Sequence, residues 1–97
     1  NCMAAYVIAE IEITNPEGYK AYTQAVPATI LQYGGKFVVR GGASQVLEGE
    51  WPERRRVILE FPSKEPALKW WNSPEYAKPM EMRRANSKGR LLLLEGI

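Results

Sequence analysis

The 97-residue sequence predicts an α+β domain with the element order βαββαβ. Three observations carry this. Residues Ala4–Ile13 alternate with a period of two, and a stripe of large side chains at helical spacing follows Asn15-Pro16. After it comes Tyr33–Gly42, YGGKFVVRGG, a short run of strand formers bracketed by two glycine pairs.

In the first strand Ala9, Ile11 and Ile13 share one face, and Glu10 and Glu12 share the other with Tyr6 and Ile8. The second face is therefore apolar at one end and acidic at the other. Asn15 is the expected cap of the first helix, with Pro16 at its first position and Glu17 placed to meet the positive end of the helix dipole. Tyr19, Tyr22, Val26, Ile30 and Tyr33 form the packing stripe. Pro27 lacks the N–H that would bond to Thr23, which predicts a kink, and Gly34 supplies a left-handed stop.

Lys36–Arg40 is the second strand, and simple alternation puts Phe37 and Val39 on one face and Val38 and Arg40 on the other. Gly41-Gly42 reads as a bend, Ser44–Glu50 as renewed extended chain, and Trp51-Pro52-Glu53 as a turn. Arg56–Phe61 is the third strand, with Val57, Leu59 and Phe61 opposite Arg56, Ile58 and Glu60. Arg54-Arg55-Arg56 reads as part of a solvated hairpin tip.

Ser63 is the expected cap of a second helix whose buried side carries Ala67, Leu68 and Trp71. Asn72-Ser73-Pro74-Glu75 stops and restarts it, giving two pieces at an angle; the second has Tyr76, Met80 and Arg83 on one stripe and a local distortion at Pro79. Ser87-Lys88-Gly89 is expected to end it. Leu91–Leu94 is then a last strand buried on both faces.

Short right-handed connections fold this order into a four-stranded antiparallel sheet, strand order 4-1-3-2, with both helices on one face: the ferredoxin-like plait. The other face lacks a helix yet carries Tyr6, Ile8, Val38, Ile58 and part of the leucine run. A homodimer packed sheet to sheet is the expected cover.

Composition removes several chemistries. The eleven acids are all Glu and there is no His, so no Ser-His-Asp or Cys-His relay can be assembled within the chain, and no histidine-ligated haem. One Cys cannot make an intrachain disulfide or a cysteine-rich metal site, so neither metal nor organic cofactor is expected, and a reducing, cytoplasmic setting fits. Asn1 and Cys2 read as tag remnants ahead of a natural start at Met3, giving a single domain over 1–97 without a leader or membrane span. A net charge of +2 is too slight to imply nucleic acid or an anionic membrane. RNA binding is rejected on a second ground. The third strand would offer Arg56, Ile58 and Glu60 to RNA, while its one aromatic, Phe61, has the opposite phase.

YGGKFVVRGG, the GEW of Gly49–Trp51, the VILEFPS of Val57–Ser63 and the NSPEY of Asn72–Tyr76 resemble, in that order, domain-of-unknown-function family 1330. The family lies in the dimeric α/β-barrel superfamily, and the resemblance spans Ala4–Gly96. It implies a ferredoxin-like fold whose sheets face each other in a homodimer, with a cavity beside each sheet. The wider superfamily includes cofactor-free monooxygenases of aromatic polyketides, haem-degrading enzymes, muconolactone isomerases and haem-containing dismutases, and no catalytic set from those branches transfers to this chain.

The candidate site residues follow. Arg40, Glu10 and Glu60 share phase with the uncovered face, either as an ion pair fixing an interface or as a site. In a site, Arg40 would bind a carboxylate or enolate oxygen and Glu60 or Glu10 would act as base. Tyr22, Trp71, Tyr76 and Arg83 are candidates, with Arg40, to line a ligand pocket. The expected function is that of a cofactor-free, monooxygenase- or isomerase-like enzyme acting on a small, partly apolar or acidic ligand. The alternative is a non-catalytic dimeric ligand-binding or stress-related module.

Overall fold

The computed structural model describes residues 3–97, so the readings of Asn1 and Cys2 lie outside the described residues. Its elements are β1 (Ala5–Ile13), α1 (Pro16–Gln32), β2 (Lys36–Arg40), β3 (Arg55–Phe61), α2 (Lys64–Trp71), α3 (Pro74–Asn86) and β4 (Ser87–Glu95). The four strands form one antiparallel sheet in the order β2-β3-β1-β4, which is 4-1-3-2 read from the other edge. This is the ferredoxin-like plait that the element order predicts.

One face of the sheet builds the core. Ala5, Val7, Ala9 and Ile11 of β1, with Leu59 and Phe61 of β3, pack against Tyr19, Tyr22, Val26 and Ile30 of α1, Ala67 and Trp70 of α2, and Tyr76 of α3. The α1 stripe is thus buried as its spacing predicts, with Tyr33 at its margin. Trp70 is the centre of the aromatic cluster. Its ring centroid lies 4.2 Å from that of Tyr76 and 5.6 Å from that of Phe61, and its Nε1 donates to Thr29 Oγ1 at 3.0 Å.

Several expectations are corrected. On α2 the buried pair is Ala67 and Trp70; Leu68 is exposed and Trp71 only half-buried, because the helix is short and offers a single i, i+3 edge to the sheet. α3 ends at Ser87 as expected, its C-cap, whose Oγ donates to Arg83 O, and Ser87-Lys88-Gly89 at once begin β4, where they pair with Ile13, Glu12 and Ile11. Leu91 and Leu93 face the core, but Leu92 and Leu94 are exposed, since β4 is an edge strand with helices on one side only. Ser44–Glu50 is not strand but part of a surface loop between β2 and β3. Asn15 and Ser63 occupy cap positions without a side-chain cap bond, and Asn15 Nδ2 instead donates to Asn86 Oδ1 at 2.9 Å, joining the start of α1 to the end of α3.

Two glycines act as expected in a more specific way. Gly34, at φ +82°, ends the chain reversal after α1. Gly41, at φ +68°, also lies where a Cβ would collide with the guanidinium of Arg55, so its missing side chain makes room for that arginine.

Candidate functional site

The correction with most consequence concerns Arg40. Phe37 stands opposite Leu59, but Val39 stands opposite Ile58 and Arg40 opposite Val57, so a β-bulge at Val38 reverses the alternation. Arg40 therefore leaves the uncovered face and points to the helix side. Its guanidinium lies over the Phe37 ring, 4.4 Å from the centroid, and Nη2 donates to Thr23 O at 3.5 Å. That carbonyl is the one Pro27 cannot engage, because proline has no N–H to offer it.

Arg40 joins two other arginines around a cavity between sheet and helices. Arg55 of β3 and Arg83 of α3 line it with Tyr19, Tyr22 and Trp70, over a floor of apolar strand residues. Its volume is about 40 Å³, room for a few ordered waters or the head of a small anion. Among the described residues no carboxylate lines it. Arg83 is 5% exposed, and among the described residues the one hydrogen bond of its side chain runs from Nε to Tyr76 Oη at 3.2 Å. Arg55 Nε is buried without a partner. Burying unpaired charge costs several kcal/mol per ion, and buried Arg83 with half-buried Arg55, beside the exposed Arg40, is an arrangement that can accept an anion.

The hydroxyls at this site are ordered by their partners. Tyr22 Oη and Tyr76 Oη are 2.9 Å apart, and Tyr76 is fully buried. Tyr76 Oη already accepts from Arg83; if it donates to Tyr22 its own hydrogen is used, and the Tyr22 hydrogen is left to point into the cavity that Tyr22 lines. The opposite direction would leave a buried O–H of Tyr76 without an acceptor. Burial is the largest cause that pushes the Tyr22 hydroxyl well above its ordinary value, against the pull of Arg83. Tyr22 is thus a neutral donor. Burial also raises Tyr19, against the opposing charge and hydrogen bond of Arg55.

Local sequence explains these placements. Ser73 caps α3 as its position predicts, accepting from Tyr76 N at 3.1 Å, and Pro74 starts the helix. Tyr76 is fixed one turn in, and Arg83, seven residues later, projects from the same side. Trp71 stands over the Arg83 guanidinium, which is 5.8 Å from its ring centroid. The sequence-predicted residues Tyr22, Tyr76, Arg83, Trp71 and Arg40 are therefore brought together. Glu10 and Glu60 are not: both remain on the far face of the sheet, and Arg40 meets neither. Glu60 stands opposite Tyr6 and Lys36, while Glu10 accepts from Arg56 Nε at 3.3 Å and pairs with Arg90 Nη2 at 2.8 Å. Burial alone would raise the Glu10 carboxyl, but Arg90 and then Arg56 hold it below the usual range.

Arg55 was missed as a site residue, although its phase gives it away: it is two residues before Val57 and so shares the helix-side face with Val57, Leu59 and Phe61. Reading the strand from Arg56 hid it among the basic residues of the hairpin tip.

A wider groove of about 680 Å³ lies between α2, α3 and β4, walled by Leu68, Trp71, Leu93 and Arg84 among others. Val7, Trp70, Arg83 and Leu91 belong to both spaces. Arg83 therefore stands at the wall between the inner cavity and the open groove.

Comparison with curated proteins finds no match. Among solved structures the fold is similar to that of RPA0582, a protein of unknown function from Rhodopseudomonas palustris, with a TM-score of 0.80 at 21% identity over 100% of this chain and 85% of that one. The methylated form of RPA0582 gives 0.80 at 20% identity, over 100% and 83%. SnoaB, a cofactor-independent oxygenase from Streptomyces nogalater, gives 0.66 at 12% identity, covering 96% of this chain and 92% of that one. These likenesses bear on the fold. The sequence itself matches the model of the domain of unknown function DUF1330 over residues 4–97, and the chain belongs to that family.

Proposed function

We propose that the protein is a homodimer that binds a small, partly apolar acid between its sheet and helices and acts on it without a cofactor, in the manner of a monooxygenase or isomerase. The observation that carries this reading is that, among the described residues, no carboxylate lines the cavity that Arg40, Arg55 and Arg83 share. Arg83 and Arg55 hold the acid group, Tyr22 donates to it, Arg40 stands at the mouth, and Tyr76 and Trp71 orient Arg83. The likeness in fold to a cofactor-independent oxygenase supports the class of activity.

The uncovered sheet face supports the dimer. Leu92 is 58% exposed and Leu94 43%, beside Tyr6, Ile8 and Ile58, and the Glu10 ion cluster closes one end of the patch. That cluster also favours a second reading, a non-catalytic dimeric module in which Glu10 and its arginines serve the interface while the cavity only binds.

Calorimetric titration with propionate tests the site. Binding by the wild type, weakened about tenfold or more in Arg83→Lys and Arg55→Gln, is the expected result. Equal affinity in all three proteins would contradict it. Sedimentation at micromolar concentration tests the dimer, and a persistent monomer would contradict that part.

A further inference from the structure

The inner cavity and the outer groove share a wall, and the one charged residue in that wall is a buried arginine. Arg83 is 5% exposed, has no carboxylate partner among the described residues, and borders both spaces. The inner space, about 40 Å³, holds an acid head and little more; the outer one, about 680 Å³, lies within the roughly 300–1,000 Å³ usual for organic ligands. Leu68, Trp71, Leu91 and Leu93 give the groove apolar sides. Leu68 is 39% exposed there, and Arg84, Lys88 and Arg90 stand along the groove as further cations.

We infer that the ligand is an amphiphilic carboxylate, its head held by Arg83, the arginine common to both spaces, and its hydrocarbon body lying in the groove between β4 and the α2–α3 pair. This rests on the reading of the inner cavity as an acid site and adds the ligand's shape and chemical class. The apolar sides of the groove, leucines and an indole, suit a hydrocarbon body, while Arg84, Lys88 and Arg90 along it would meet any second acid group. A purely inorganic anion would leave the groove unused. The Trp71 indole, lying against both Arg83 and the groove, covers the junction of head and body.

The experiment is a calorimetric titration of the intact wild-type protein with propionate, butyrate, pentanoate and hexanoate at constant ionic strength, repeated with Leu68→Asn. Each added methylene should tighten binding about threefold to fourfold if it leaves water for the groove. Leu68→Asn should weaken hexanoate about fivefold while leaving propionate as in the wild type. Affinity that does not change along the series, or that falls, overturns the groove assignment and leaves the acid site standing. No binding by any acid of the series overturns both. Hexanoate equally tight in Leu68→Asn and wild type, with chain-length dependence intact, also counts against this groove, because the body must then lie elsewhere.

Discussion

Arg55 and Arg56 are neighbours in β3, point to opposite faces of one sheet, and are treated in opposite ways. Arg56 donates to Glu10 and to Pro52 O, and lies over the Trp51 ring, 5.3 Å from its centroid. Arg55 has a buried Nε without a partner and looks into a cavity that no acid lines. The same contrast separates Arg90, paired with Glu10, from Arg83, held by a tyrosine hydroxyl and the Trp71 ring. On the uncovered face Glu10 gathers Arg56 and Arg90 as its partners. The helix side keeps its charges uncompensated, at a cost in stability that structure alone does not repay. An arginine satisfied by its own chain marks architecture, and one left unsatisfied in a packed interior marks a place for something else.

The contrast can be broken at several points. The largest effect is expected from the packing around the cavity: Trp70→Ala removes the centre of the aromatic cluster and should lower unfolding stability by about 3–5 kcal/mol in urea titration. A loss below ~1 kcal/mol would mean that the cavity walls are not held by this core. On the other face, Leu92→Lys puts a charge in the exposed apolar patch. It should convert the proposed dimer to monomer in sedimentation without a comparable loss of fold, and an undisturbed dimer would locate the interface elsewhere.

Titration separates the faces again. Tyr22 is raised above its ordinary value, so its contribution is fully present below the unfolded tyrosine pKa of about 10 and is lost as pH rises beyond it. Unfolding followed through that alkaline range should show a decline in the wild type that Tyr22→Phe shares less; identical slopes would place no weight on the buried hydroxyl. Glu10 is lowered, so its contribution is present above the unfolded glutamate pKa of about 4.3 and is lost as pH falls below it. Glu10→Gln should flatten part of the acid-side decline. This is the smallest effect, since the pair with Arg90 is largely solvated: that arginine side chain is 84% exposed.

Most of this architecture was legible in the sequence because it rests on period. The β1 alternation, the α1 stripe and the Ser73-Pro74 restart are local patterns, and local physics set them. Arg40 was misassigned because a bulge inserts one residue and inverts the phase of all that follows, and a bulge leaves no periodic trace. Arg55 was legible but hidden by the choice of strand start. Trp70 and Trp71 are adjacent, and which one a short helix buries depends on how it is rotated against the sheet, a tertiary matter. Likewise the leucines of β4 gave no hint that the strand lies at the sheet edge. Of the candidate site, the residues on α1 and α3 could be grouped from sequence, whereas the absence of an acid among them could be seen only once β1, β2 and β3 were in place.

The measurement that tests the uncompensated cavity most directly is the thermal unfolding of wild type and Arg83→Met, each with and without hexanoate. Without acid, replacing a buried unpaired charge by a side chain of similar length should leave the midpoint unchanged or raise it. With hexanoate at about one hundred times its dissociation constant, the wild type should gain about 2.7 kcal/mol and its midpoint should rise by roughly 10 °C or more, while Arg83→Met gains little. A variant that melts well below the ligand-free wild type, or two proteins that respond alike to the acid, would show that Arg83 belongs to the architecture after all.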